Sequence, residues 1–244
     1  MYRDMMVSAI VVAGGKGSRF VLSEPKPSGE DLPKQFLMLG NAPVLGHSLL
    51  AFDKNPHVDR IVLAVPREHL TMCKDMVEHL GLRKPCDVVS GGDTRQGSVC
   101  NGLLELEEDC MDGLVLVHDG ARPFVDGEDI EALLTAAYDH DAATLGLPVT
   151  DCLKTVDFEM SITKTMPRDN IFTVQTPQAF KAELLIKAHK EARAAGHKNL
   201  PYDDCQLVEK LGVAPKVVAG NPRNIKITHA IDMVVARAIL KGER

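Results

Sequence analysis

Apolar positions along the chain come in two textures. The first is a set of short, nearly continuous runs: "SAIVVA" (Ser8–Ala13), "RIVLAV" (Arg60–Val65), "CDVVS" (Cys86–Ser90), "GLVLVHD" (Gly113–Asp119) and "AATLGLPV" (Ala142–Val149). Strands covered on both faces read this way, because neither face alternates with water-facing residues. The second texture is helical. Ile130, Leu133, Leu134 and Ala137 recur at i, i+3, i+4 and i+7, and Leu184, Leu185, Ala188 and Ala192 repeat the stripe, with Gly196 placed to end that helix. "HAIDMVVARAIL" (His229–Leu240) is so apolar that it predicts a mostly covered terminal helix. Strands alternating with helices predict βαβ units, a mostly parallel sheet with helices on both faces, and right-handed crossovers.

One segment breaks this rhythm. Within Thr150–Phe180, two β-prone runs, Leu153–Val156 and Ile162–Thr165, flank "DFEMS". They predict a β-hairpin arm over residues 150–171, set within a single domain of residues 1–244. An isolated hairpin is marginal in water, so such an arm calls for a packing partner, and a second subunit is the obvious one. Ser23–Pro33, with three prolines and one glycine, reads as a loop.

Composition narrows the function. The 244 residues are 45% hydrophobic and 25% charged, as in an ordinary globular protein. Aromatic residues make up only 4% and Trp is absent, so the core must be aliphatic. A net charge of -6 argues against a general nucleic-acid binder, yet leaves room for a few cations around a small phosphorylated ligand. Six cysteines show no C-x-x-C spacing, which favours free thiols in a reducing cytoplasm. The N-terminus shows no signal-peptide pattern, and no apolar run approaches the roughly 20 residues of a membrane span.

Ligands of an open parallel sheet bind beyond the carboxyl ends of its strands, so the loops there carry the candidate chemistry. After the first strand come Gly14, Gly15, Lys16, Gly17, Ser18 and Arg19, with Lys34 beyond the proline-rich loop. Glycines let backbone N–H groups approach oxyanions, and the cations add charge, so a phosphate chain fits. The pattern is neither a P-loop nor the dinucleotide fingerprint, since Phe20 stands where the latter needs a small residue. A plain glycine turn with solvated cations is the bland reading. After the third strand come Gly91, Gly92, Asp93, Thr94, Arg95 and Ser98, where Asp93 or Thr94 could simply cap the next helix. The fourth strand ends in His118 and Asp119, followed by Gly120, Ala121 and Arg122. Asp119 reads as an Mg²⁺ ligand or a phosphate-adjacent carboxylate, or as a loop aspartate. His118 reads as a packed structural histidine.

Seven motifs, in order from Val11 to Thr228, resemble the 2-C-methyl-D-erythritol 4-phosphate cytidylyltransferase family: "VVAGGKGSRF", "LPKQFLMLGNAPVLGHSL", "GGDTRQGSV", "VHDGARPFV", "LPVTDCLKTV", "PRDNIFTVQTPQAF" and "NPRNIKIT". The resemblance implies a Rossmann-like α/β sheet with a β-arm that builds a homodimer. It implies cytidylyl transfer from CTP to a methylerythritol phosphate, with Mg²⁺ and release of pyrophosphate. Arg19 and Lys34 would stabilise the charged transition state. The backbone from Ala13 through Gly14, Gly15 and Lys16 to Gly17 would hold the triphosphate. Gly92, Asp93, Ser98 and Gly120 would complete the CTP site. Asp119 would lie by the metal and the sugar alcohol, Arg122 would contact the latter, and Arg168 and Lys226 would bind the attacking phosphate. Cys152 and Thr176 would position the acceptor, with Arg168 reaching into the partner's site. Cys152 stands where the family usually has a hydroxyl residue, Tyr202 where it usually has Thr, and the segment from Arg19 to Lys34 is longer than usual. Three other readings compete: a ribitol 5-phosphate cytidylyltransferase, a dinucleotide-dependent oxidoreductase and a non-catalytic nucleotide sensor.

Overall fold

The computed structural model describes residues 1–14, 33–106, 111–196 and 201–242. Arg19, Gly15, Lys16, Gly17 and nearly all of the proline-rich loop therefore lie outside the described residues.

The apolar runs form the strands that their texture predicts. β1 (Val7–Val12), β4 (Arg60–Val65), β5 (Cys86–Ser90), β6 (Leu114–Asp119) and β7 (Ala142–Pro148) belong to one seven-stranded sheet. Its order is β11-β7-β10-β6-β1-β4-β5, where β10 spans Phe172–Lys181 and β11 spans Lys216–Ala219. Pairing is parallel throughout except at β10, which runs antiparallel to both β6 and β7. β10 carries the segment after the arm back into the sheet. The sequence pattern predicts no element over these residues; Pro177 interrupts the strand, and its register on β7 shifts between Val174 and Gln178, around that proline. β2 (Met38–Leu39) and β3 (Ala42–Pro43) make a small separate hairpin.

Every residue of β1 is buried, and the two faces of the sheet divide its side chains. Ala9 and Val11 point into one core with Leu49 and Phe52 of α1 (Val44–Lys54) and with Ile130, Leu133 and Leu134 of α4 (Gly127–His140). α2 (Leu70–Leu80) buries Cys73 on the same side. Ile10 and Val12 point into the opposite core with Val99 and Leu103 of α3 (Arg95–Leu106), Leu185 of α5 (Ala182–Ala194) and Leu207 of α6 (Cys205–Glu209). The period of two along β1 thus feeds two separate hydrophobic layers. Boundaries follow local chemistry. The Asp126 side chain accepts from Asp129 N at 2.9 Å to start α4, and Gly196 turns left-handed (φ +62°) beyond the end of α5.

α7 (Ala230–Lys241) corrects one expectation. Only Met233 and Ala236 are buried, against Leu39, Val44 and Ile227, while Ile231 and Val234 are 63% and 58% exposed. The helix lies on the small β2–β3 hairpin rather than within a core, so only one of its faces is covered.

The arm is present. β8 (Leu153–Val156) and β9 (Ile162–Met166) pair antiparallel, and Asp157 Oδ1 accepts from the N–H groups of Glu159 and Ser161 to close the turn. Its Val156, Phe158, Met160 and Ile162 are exposed.

Candidate active site

The chain runs from β1 outward to β4 and β5, then returns to the other flank of β1 as β6. β1 and β6 therefore border the switch point where an open sheet forms its ligand crevice. Their carboxyl ends lie side by side: Val12 pairs with Asp119, and Gly120 N donates to Val12 O at 2.9 Å. The Lys34–Phe36 turn is tied to the same place, because the buried Gln35 side chain donates to Ala13 O at 2.8 Å. Ala13, Gly14, Lys34 and Gly120 thus share one rim.

The loop after β5 folds onto that rim. Ser98 is buried; its hydroxyl accepts from Gly92 N at 3.2 Å and donates to Thr94 O at 3.0 Å. Thr94 caps α3 by accepting from Gly97 N at 2.9 Å. Gly92 is required by space, since a Cβ there would lie 2.8 Å from the Gly97 backbone. A Cβ on Gly14 would meet the Ser98 hydroxyl at 3.2 Å, so the two proposed CTP loops are in near contact. Asp93 is exposed at the loop's edge.

Asp119 is the electrostatic centre. One carboxylate oxygen accepts from Arg95 Nε at 3.1 Å and the other from Lys226 Nζ at 2.7 Å, and Arg122 Nε stands 3.9 Å from the second. Burial alone would raise this carboxyl's pKa. The cations Arg95, Lys226 and Arg122 outweigh burial and hold it well below the usual carboxylate range, so Asp119 is an anion at neutral pH. Lys226 is delivered by the Asn221–Lys226 loop. That loop is laced to the sheet: Asn224 Nδ2 donates to Thr176 O at 2.8 Å, and Arg122 donates to Asn224 O at 2.8 Å.

Thr176 and His118 support Asp119 from below. Asp119 N donates to the Thr176 hydroxyl at 3.0 Å, and that hydroxyl lies 3.2 Å from His118 Nδ1. His118 Nε2 faces the Arg122 carbonyl at 3.0 Å. A carbonyl can only accept, so Nε2 carries the proton and Nδ1 accepts from Thr176. The ring is fully buried edge-on against Phe52, and burial pushes its pKa down to about 4. His118 is the packed structural histidine that the sequence predicts, and the Thr176 hydroxyl is bonded to the Asp119 backbone.

Two expected residues stand apart. Arg168 is exposed and donates to the Thr150 carbonyl at the base of the arm, and Cys152, in the same segment, is exposed; neither is bonded to the Asp119 group. Three residues without an assigned role in the sequence join the cluster instead. Arg95 also donates to Asp204 at 2.6 Å, and His189 Nε2 lies 3.0 Å from the other Asp204 oxygen. The only prior signal was Arg95 within "GGDTR" and the acidic pair Asp203-Asp204.

The resemblance is matched by known proteins. The family model described as "IspD: 2-C-methyl-D-erythritol 4-phosphate cytidylyltransferase" matches residues 7–242. Proteins named 2-C-methyl-D-erythritol 4-phosphate cytidylyltransferase from Pelotomaculum thermopropionicum and Alkaliphilus metalliredigens are 42% and 40% identical over 239 residues; each alignment covers 98% of this chain, and 95% and 94% of theirs. The crystal structure of 4-diphosphocytidyl-2C-methyl-D-erythritol synthase from Anaerococcus prevotii superposes with a TM-score of 0.81 at 29% identity, covering 97% of this chain and 99% of that one. The Thermus thermophilus cytidylyltransferase structure gives 0.72 at 33% identity, covering 97% and 100%. The fold, its strand-end cluster and these matches together place the chain in the 2-C-methyl-D-erythritol 4-phosphate cytidylyltransferase family.

Proposed function

We propose that this protein transfers the cytidylyl group of CTP to the phosphate of 2-C-methyl-D-erythritol 4-phosphate. The products are 4-diphosphocytidyl-2-C-methyl-D-erythritol and pyrophosphate, a step of the non-mevalonate route to isoprenoids. The observation that carries this reading is the Asp119–Lys226–Arg122 cluster beside the Gly14 and Gly92 loops, at the strand ends of a chain that belongs to this family. The ribitol 5-phosphate reading is disfavoured, because the family model and the relatives bear the methylerythritol name.

The chemistry asks for little covalent help. An acceptor phosphate oxygen attacks the α-phosphorus, and the bond to the pyrophosphate breaks. The nucleophile is already an anion, so no general base is needed. The difficulty is holding two polyanions in line while charge develops. Arg19 and Lys34 neutralise that charge. Ala13 to Gly17 hold the triphosphate, and Gly92, Asp93 and Ser98 hold base and ribose. Lys226 keeps ammonium protons beyond the one given to Asp119, so it can bind the acceptor phosphate while paired. Arg168, carried on the arm, does the same in the neighbouring subunit, which makes the protein a homodimer.

Mg²⁺ fits the donor set sparingly. Among the described residues no three His, Cys, Asp or Glu side chains cluster, but Mg²⁺ needs only one or two carboxylates when phosphates complete its shell. Asp119 would supply the carboxylate, since each of its oxygens accepts one bond here and keeps a lone pair. Bound Mg²⁺ would withdraw charge from the phosphate oxygens. Among the described residues no helix is long and apolar enough to cross a membrane. The free thiols Cys73, Cys86, Cys100, Cys152 and Cys205 suit a cytoplasmic enzyme.

Pyrophosphate release with CTP, Mg²⁺ and each polyol phosphate tests the reading. Turnover is expected with methylerythritol phosphate. Turnover with ribitol 5-phosphate alone would overturn the acceptor, and no turnover with either would overturn the reaction.

A further inference from the structure

Asp119 is held on its inner side by a chain of charges, buried except for the half-buried Arg95, that no substrate role requires. Arg95 Nε donates to Asp119 at 3.1 Å, and Arg95 Nη1 donates to Asp204 at 2.6 Å. The other Asp204 oxygen lies 3.0 Å from His189 Nε2. Asp204 and His189 are almost wholly buried, at 1% and 3% exposure. The chain runs from the end of β6 through the first residue of α3 to α6 and α5. Asp204 is itself fixed, because its backbone N–H donates to Gln178 on β10 at 3.2 Å. Among the described residues, Arg95 Nη2 is buried without a bond.

Burying two carboxylates and part of a guanidinium costs several kcal/mol per ion before pairing, and such chains rarely add net stability. What they determine is geometry. A carboxylate gripped from opposite sides by Arg95 and Lys226 cannot rotate, whereas one gripped by a flexible lysine alone can. Arg95 is also the second residue after Asp93 and the third before Ser98, so the residue that orients Asp119 sits within the loop proposed to hold CTP.

We propose that Arg95, braced by Asp204, is a positioning residue: it locks the Asp119 carboxylate toward the acceptor and ties that carboxylate to the nucleotide loop. The assignment rests on the cytidylyltransferase reading. It concerns two residues, Arg95 and Asp204, to which that reading gives no role.

Arg95→Gln removes both charged contacts, and Arg95→Lys can restore one. Relative to wild type, Arg95→Gln should raise the acceptor KM and lower kcat by about tenfold each, the scale expected when a reacting group loses its orientation. The lysine variant should recover part of this, and Asp204→Asn should shift both in the same direction by less. The affinity for CTP, measured by calorimetry, should change by less than about threefold. In an Asp119→Asn background, Arg95→Gln should add almost nothing. A general folding role would instead give additive losses, and would lower CTP affinity and Tm together with activity.

Additive losses, or no shift in acceptor KM, would overturn the assignment. If Arg95→Gln does not fold, the Arg95→Lys and Asp204→Asn variants carry the same comparison. A wild-type enzyme inert with CTP and methylerythritol phosphate would sink the functional reading instead. In that case a crystal structure of Arg95→Lys decides: a displaced Asp119 carboxylate supports the lock, and an unmoved one overturns it.

Discussion

Lys226 Nζ donates to Asp119 Oδ2 at 2.7 Å, joining the end of a central strand to a loop 107 residues further along the chain. The contact pairs the cation proposed to bind the acceptor phosphate with the carboxylate proposed to bind the acceptor alcohol. Removing the cation therefore harms both. Lys226→Ala should lower kcat/KM for the acceptor by on the order of 10², while CTP affinity stays close to wild type. Steady-state kinetics with each substrate varied in turn makes the check. An unchanged acceptor KM would remove Lys226 from the acceptor site.

Lys34 stands at the start of a short turn whose neighbour Gln35 is anchored to Ala13. Lys34→Ala leaves that anchor in place, so the fold should survive with Tm within a few degrees. Loss of a preorganised cation at the reacting phosphorus should lower kcat by about 10² or more. Near-normal turnover in a folded variant would withdraw the role.

His118 predicts a pH dependence of stability. Its pKa falls from 6.5 to about 4 on folding, because burial disfavours the charged ring. The folded state therefore favours the neutral form. The associated stability is fully present above pH 6.5 and is lost as pH drops toward 4, by on the order of 3 kcal/mol across that interval. Urea midpoints between pH 7 and 4.5 should fall for the wild type. In His118→Asn, which cannot titrate, the curve should be lower at pH 7 and flatter below it. Parallel curves would refute the assignment.

Gly92 tests the nucleotide loop. A methyl group there would sit 2.8 Å from the Gly97 carbonyl carbon, against backbone that cannot step aside cheaply. Gly92→Ala should cost about 1–3 kcal/mol of stability through overpacking. It should also weaken CTP binding by at least about tenfold, because backbone displaced by the clash carries the residue 92 N–H away from the Ser98 hydroxyl. Calorimetric CTP affinity equal to wild type would show that the loop does not shape the nucleotide site.

The exposed apolar residues of the arm, Val156, Phe158, Met160 and Ile162, motivate a subunit-mixing experiment. Arg168→Ala and Arg19→Ala enzymes should each be nearly inactive alone. If Arg168 serves the neighbouring subunit, a heterodimer has one site with both lesions and one with neither. Exchange should then restore about half of the wild-type activity per heterodimer. A mixture shown by mass to have exchanged, yet still inactive, would place Arg168 in its own subunit's site. Sedimentation as a monomer would refute the dimer.

The sequence by itself determined the parallel strands, because burial on both faces leaves a local signature: unbroken apolar runs such as Arg60–Val65 and Cys86–Ser90, whose strand bounds match residue for residue. It determined the arm for a related reason, since two β-prone runs around an Asp-led turn need no distant partner to be recognised. It also placed the loops that carry Gly92 and Asp119, because chemistry collects after strand ends in such a sheet, whereas Lys226 was reached only through the family resemblance of "NPRNIKIT". Tertiary structure alone decided the rest. β10 is a strand despite Pro177 because β6 and β7 present open edges on either side of it. α7 leaves an apolar face exposed because only a small hairpin lies beneath it. The bond between Arg95 and Asp204 spans 109 residues. Periodicity and turn chemistry are energies of neighbours along the chain. An ion pair between two helices exists only once the sheet has fixed where both helices begin, so no pattern local to either residue could announce it.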